Sequence, residues 1–162
     1  MELFFWLTGT TLVIFGSAVA FGAPYLPVLK PQIITALELL ELKPGQTIID
    51  LGSGDGRFLL AAAQNGFSAV GYEINPILVL VSKFRTRKYR RQVTILWKNY
   101  WQGEWPKADA IFVFLISKYM KKLNNKVIQY KHRPIKLVSL GFQIPERKYQ
   151  AQNNGVFLYK FP

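Results

Sequence analysis

Ile48-Ile49-Asp50-Leu51-Gly52-Ser53-Gly54-Asp55-Gly56 decides the fold of this chain. Two β-branched residues lead a strand up to Asp50, glycines alternate through a turn, and Arg57-Phe58-Leu59-Leu60-Ala61-Ala62-Ala63 opens a helix behind it. Strand, glycine turn and helix make the first unit of a nucleotide-binding α/β sheet, whose ligands sit beyond the carboxyl ends of the strands.

Working outward, helical and strand patterns alternate. Pro31 suits a first helical turn, with Ile33, Ile34, Leu37 and Leu40 following at helical spacing until Lys43-Pro44-Gly45. Strands are expected over 47–51, 68–73, 93–97, 108–115 and 135–141. The helices between them are expected from Asp55 to about Asn65-Gly66, from Asn75-Pro76 to about Arg91, and from Ser117 to about Gln129. Asn153-Asn154-Gly155 signals a hairpin turn between arms at 147–152 and 156–161. The fold class is therefore α/β: a Rossmann-like, mostly parallel sheet with a C-terminal antiparallel hairpin.

The N-terminus differs in character. Leu3 to Gly22 carries no charge, and at ~1.5 Å per residue it would span ~30 Å, the thickness of a bilayer core. A transmembrane helix over residues 1–23 is the expectation. Ala18-Val19-Ala20 resembles a signal-peptidase site, but the positive stretch that precedes such a site is missing; a buried soluble helix is the other reading. All 21 Lys and Arg lie from Lys30 onward, which orients the anchor with the domain on the cytoplasmic, or matrix-equivalent, side. Residues 24–30 then form a proline-containing strap that brings Tyr25 over the ligand site, or serve as a plain linker, and 31–162 form the domain.

Composition narrows the chemistry. There is no cysteine and one histidine, His132, so a thiolate metal site, a His-based metal centre and a Ser-His-Asp triad are all disfavoured, and no metal is expected. A formal charge of +12 calls for an anionic partner. Lys83 to Arg91 holds six positive charges, and Lys118, Lys121, Lys122, Lys126, Lys131, Arg133 and Lys136 form a second basic region. Beside an anchor, such helices suit an anionic membrane surface; alone, they are a solvated face.

The turn also selects its ligand. A dinucleotide turn reads G-x-G-x-x-G, whereas here it reads G-x-G-x-G between Asp50 and Asp55. Two carboxylates are poor company for a pyrophosphate and suit a cationic ligand such as S-adenosylmethionine (SAM). Glu73, at the end of the second strand, is placed to accept from both ribose hydroxyls. Ile74 and Asn75 follow it, with Ile74 against the adenine, and Asn99 in Trp97-Lys98-Asn99-Tyr100-Trp101 is placed to bond the adenine edge. Tyr25, Tyr100 and Trp101 are candidate walls of a substrate channel. Trp97 and Trp105 read as core residues, and Asp109, at the far end of its strand, as structural.

Asp50-Leu51-Gly52-Ser53-Gly54-Asp55-Gly56 with Glu73 resembles the motifs of class I SAM-dependent methyltransferases. Four segments more narrowly resemble the small membrane-anchored protein-lysine methyltransferases: 22–27, the glycine turn, Gly71-Tyr72-Glu73-Ile74-Asn75-Pro76, and Leu96 to Trp101. Members of that family methylate lysines of the adenine nucleotide carrier and the ATP synthase c subunit, and prokaryotic relatives exist. The resemblance implies SAM as cofactor, a membrane-embedded protein as partner, and lysine N-methylation as the activity. It places Asp50, Gly52, Ser53, Gly54, Asp55, Gly56, Glu73, Ile74, Asn75 and Asn99 at the cofactor and Tyr25, Asn99, Tyr100 and Trp101 at the reacting centre. The fourth strand lacks the Asn/Asp-Pro-Pro-aromatic motif of adenine-N6 and glutamine methyltransferases, which counts against those acceptors. The alternatives are a nucleic-acid or small-molecule methyltransferase, or a SAM-binding protein without catalysis.

Overall fold

The computed structural model describes residues 26–162. The expected anchor and Tyr25 lie outside them; among the described residues no helix is long and apolar enough to cross a membrane. In chain order the elements are α1 (Lys30–Leu40), β1 (Thr47–Leu51), α2 (Arg57–Gln64), β2 (Ser68–Glu73), α3 (Pro76–Arg85), β3 (Val93–Trp97), β4 (Ala110–Val113), α4 (Ser117–Ile128), β5 (Ile135–Leu140), β6 (Ala151–Asn153) and β7 (Val156–Phe161). They build one sheet of order β3-β2-β1-β4-β5-β7-β6. Its first five strands are parallel; β7 runs antiparallel to β5, and β6 to β7.

β1 pairs with β2 on one side and β4 on the other, so the strand order reverses beside it. That reversal opens a crevice at the carboxyl end, where open α/β sheets bind ligands. The register levels the site: Asp50 stands opposite Gly71 and Phe112, and Glu73 opposite Trp97.

Period-two alternation along the strands feeds two cores. Ile48 and Phe112 join Leu40, Phe58, Leu59 and Val138 on one face. Ile49, Leu51, Ile111 and Val113 join Met120, Leu123 and Tyr159 on the other. Phe58 of α2 stacks on Phe112 of β4, with centroids 3.9 Å apart and planes 12° apart, which seats the helix behind the glycine turn. Fully burying a side chain of this size contributes about 1.5–3 kcal/mol.

Several boundaries differ from expectation for local reasons. The second helix starts at Arg57, since Gly56 is left-handed at φ 77° and cannot be its first turn. The third stops at Arg85 instead of running to Arg91. The Thr86 hydroxyl donates to the Ser82 carbonyl, and a single tight turn over Arg87–Tyr89 follows. The fourth strand is trimmed to 110–113, and the first hairpin arm to Ala151–Asn153.

Candidate active site

The glycine turn is fixed by backbone. The Gly52 and Ser53 amides both donate to the Tyr72 carbonyl at 3.0 and 2.8 Å, and Gly56 donates to the Ser53 carbonyl at 2.9 Å. Gly52 has φ 95°, and a Cβ built there would meet nothing within 4 Å. The space before it is open, which is what close approach of a ligand to backbone requires.

Glu73 locks the turn to β2. Its Oε2 accepts from the Gly54 amide at 2.9 Å, and its Oε1 from the amides of Ile74 and Asn75 at 2.9 and 2.8 Å. A carboxylate oxygen has two lone pairs, so the group retains accepting capacity towards the crevice. Asn75 is used differently from expectation. Its Oδ1 caps α3, accepting from Ile77 at 3.0 Å and Leu78 at 3.4 Å, so only its backbone faces Glu73.

The two aspartates of the turn separate in role. Asp55 is not a second charge offered to a ligand. Arg57 grips it through Nε and Nη2, at 3.0 Å and 2.9 Å, and Arg85 reaches its Oδ2 from α3 at 2.7 Å. Asp50, by contrast, is buried, its backbone paired within the sheet and its carboxyl matched to no cation among the described residues. Burial, then the charges of Glu73 and Asp55, push its carboxyl well above the usual range. It is a buried acid short of positive charge.

Arg57 also holds the leading segment. Its Nη1 donates to the Val28 carbonyl at 3.0 Å, pinning the end of the strap beside the turn. Arg57 and Arg85 were missed in the sequence because nothing in their spacing marks an arginine as the partner of a turn aspartate.

The segment after β3 forms the opposite wall. A cleft of about 480 Å³ is lined by Ile74, Trp97, Lys98, Asn99, Gln102 and Gly103, so Ile74 and Asn99 do come together. Trp97 is not a core residue: it is 66% exposed, with its indole donating to the Ile74 carbonyl at 3.0 Å. Trp105 is core, as expected, and donates to the Tyr100 carbonyl at 2.8 Å. Asn99 accepts through Oδ1 from the Trp101 amide at 2.9 Å, which leaves its Nδ2 as the group for a ligand.

Tyr100 and Trp101 turn away from that cleft towards α4. Their ring centroids are 4.8 Å apart, and Trp101 lies 6.0 Å from Tyr119. Lys122 stands 4.4 Å from the Trp101 ring centroid, and Lys126 bonds the Gly103 carbonyl at 2.9 Å. Burial first, then Tyr119, push the Tyr100 hydroxyl up to about 12, so it stays protonated at neutral pH. Tyr119 and Lys122 were not singled out as site residues; the signal was an aromatic in the first turn of the helix after β4. Asp109 is structural, accepting from Gln46 and the Thr47 amide at 3.0 and 2.8 Å.

The chain is similar to a solved RNA methyltransferase of Salinibacter ruber bound to S-adenosyl-L-homocysteine. Its TM-score is 0.78 at 24% identity, covering 85% of this chain and 94% of that one, and it bears on the fold alone. The lysine N-methyltransferase of the ATP synthase c subunit from Homo sapiens is 32% identical over 75% of this chain and 53% of its own length. A protein-lysine N-methyltransferase of Saccharolobus islandicus is 26% identical, over 84% of this chain and 92% of that protein. The chain spans about half to two thirds of the length of the Homo sapiens and Xenopus laevis ATP synthase methyltransferases it matches. Residues 50–151 match the ANTKMT methyltransferase domain, from the first acid of the glycine turn to the first residue of β6. That match takes in more than half of the chain, and the protein belongs to this methyltransferase family.

Proposed function

We propose that the chain is a SAM-dependent protein-lysine N-methyltransferase acting on a membrane protein, with residues 31–162 as its catalytic domain, 24–30 as a strap and 1–23 as a membrane anchor. The observation that carries the reading is Asp50. Its carboxyl is buried at the turn next to the charges of Glu73 and Asp55, with no cation paired to it among the described residues, and close to the open space at Gly52. The ammonium and sulfonium of SAM match that charge deficit. Glu73 would accept from the ribose hydroxyls, Ile74 and Trp97 would flank the adenine, and Asn99 would donate from Nδ2 to a ring nitrogen. Bound SAM supplies an electrophilic methyl group.

The chain's own residues then govern the acceptor. A lysine amine must arrive unprotonated, and its reference pKa is ~10.4. Tyr100, Trp101 and Tyr119 exclude water, which favours the neutral amine. No acid occurs between Ile74 and Gly103, and Lys122, 4.4 Å from the Trp101 ring centroid, adds a like charge that disfavours an ammonium substrate, while the aromatic faces accept the methylated cation that forms. Tyr100, held protonated, acts as a wall and not as a base. The strap, fixed at Val28 by Arg57, would bring Tyr25 to the same channel. The names of the human and archaeal relatives support lysine as the acceptor.

Incubating the full chain with methyl-tritiated SAM and a membrane fraction should label a protein band that resists nuclease and yields methyl-lysine on hydrolysis. A nuclease-sensitive signal would transfer the acceptor to nucleic acid. SAM binding with no labelled acceptor would leave a binding protein.

A further inference from the structure

α3 carries apolar residues on both sides. Val79 and Ser82 are buried against the body of the molecule. On the other side Leu80 and Phe84 are each 68% exposed, with Ile77 at 48% and Val81 at 40%. The spacing i, i+3, i+4, i+7 puts these four in one stripe along the helix. Packing among the described residues does not account for so much exposed apolar surface at helical spacing.

The stripe has a charged border of one sign. Arg85 is committed to Asp55, while Lys83, Arg87, Lys88, Arg90 and Arg91 stand around its C-terminal end. The Arg87 guanidinium lies 4.0 Å from the Phe84 ring centroid and so extends the apolar surface into the cationic one. From Ile74 to Gly103 there is no Asp or Glu. Trp97, exposed on the neighbouring edge strand, adds an indole at the other end.

We propose that α3 docks this domain on an anionic lipid bilayer, with Ile77, Leu80, Val81 and Phe84 between the headgroups and the Lys/Arg cluster on their phosphates. An amphipathic surface helix with a basic border meets both demands of such an interface. Charge complementarity separates lipid from the other occupants. A second copy packed symmetrically would oppose two cationic clusters, and the chain's own Leu3–Gly22 stretch is uncharged. A nucleic-acid backbone would complement the cations but leave the aliphatic stripe in water. Docking on this face would also hold the cleft at Ile74 and Trp97 near the bilayer. The proposal rests on exposure and charge, not on the methyl-transfer reading.

The chain has no cysteine, so single cysteines introduced at Leu80, at Phe84 and, as a control, at Gln152 on β6 can each carry an environment-sensitive fluorophore. The probes are vesicles of phosphatidylcholine with phosphatidylglycerol, with or without doxyl-quencher lipid, and vesicles of phosphatidylcholine alone. A local label reports whether this face meets lipid, whatever else in the chain does. Expected are a blue shift and doxyl quenching at 80 and 84 on the anionic vesicles, and neither at 152. Arg90→Gln with Arg91→Gln should raise the lipid concentration that gives half of that signal, about fivefold per charge removed. With the label at 84, Leu80→Ser should raise it about tenfold. Equal quenching at 80, 84 and 152 would overturn the proposal. So would labels already shielded before vesicles are added, whether through self-association or through the chain's own N-terminus. Quenching confined to 80 and 84 in a chain that binds no SAM would uphold this proposal and count against the methyl-transfer reading alone.

Discussion

The turn from Asp50 to Gly56 is held mostly through main-chain groups, its own and those of β2, whereas the segment from Trp97 to Trp105 adds several side-chain bonds to its main-chain ones. In the turn, amides meet carbonyls directly, and Glu73 ties Gly54 to the start of the next segment through main-chain donors. In the segment, Trp97, Asn99 and Trp105 each reach a backbone group, and Lys126 of α4 reaches the Gly103 carbonyl from outside it; each bond can be cut by one substitution. A wall of the first kind moves only by breaking main-chain bonds. A wall of the second kind can be tuned residue by residue, which suits the side of a site that must fit an acceptor.

Gly56 should break the first wall most severely. It has φ 77°, and a Cβ there would lie 2.1 Å from the Ser82 Oγ and 2.9 Å from its Cβ. The left-handed backbone costs a residue with a Cβ about 1–2 kcal/mol, and overpacking about 1–3 kcal/mol more. Gly56→Ala should therefore lose about 2–5 kcal/mol in urea denaturation. Ser82→Ala in the same chain should restore part of that loss, because the Ser82 hydroxyl is buried without a partner in the described structure and gives up nothing. If no stability returns, the clash is not what fixes the turn.

The same contrast sets what could be read in advance. The order of strands and helices follows from apolar runs, and the hairpin from Asn154 and Gly155, which take φ 48° and 73° as their residue types allow. Glu73 was expected at the ligand from its place at a strand end; its bonds to the amides of Gly54, Ile74 and Asn75 were not legible there. The commitment of Asp55 to Arg57 and Arg85 was not, because one partner is 30 residues distant and meets it only after α3 packs. Trp97 misled because its apolar body suggested burial. It is the last residue of the edge strand β3, beyond Val93 and Ile95, which reach the core from the same face.

Asp50 offers a smaller effect of mixed sign. An acid raised in the folded state keeps its proton there after the unfolded chain, with a carboxyl near 3.9, has lost it. Stability then falls as pH rises from about 3.9 to the raised folded value, and the whole penalty is present above it. Asp50→Asn should raise the thermal midpoint of the ligand-free chain at neutral pH by a few degrees, on the order of 2–4 °C. The gain should vanish below about pH 4. SAM affinity by calorimetry should meanwhile fall on the order of tenfold, for loss of a charged partner. A variant that is neither more stable nor weaker in binding would remove Asp50 from the cofactor site.

Trp97→Phe tests the second wall with the smallest change. The substitution keeps an aromatic face on the cleft and removes one exposed hydrogen bond to Ile74, whose net worth is about 0.5–1.5 kcal/mol at most. Because the bond is solvent-accessible, water replaces it, and global stability should drop by less than about 1 kcal/mol. If Ile74 flanks the adenine as proposed, the local consequence is its looser positioning, read as a KM for SAM raised about threefold with kcat nearly unchanged. Should kcat fall with KM constant instead, Trp97 would act on the acceptor in the transition state. The boundary between the two walls would then lie inside the cleft, between Trp97 and Ile74, and not between the cleft and the aromatic cluster of Tyr100, Trp101 and Tyr119.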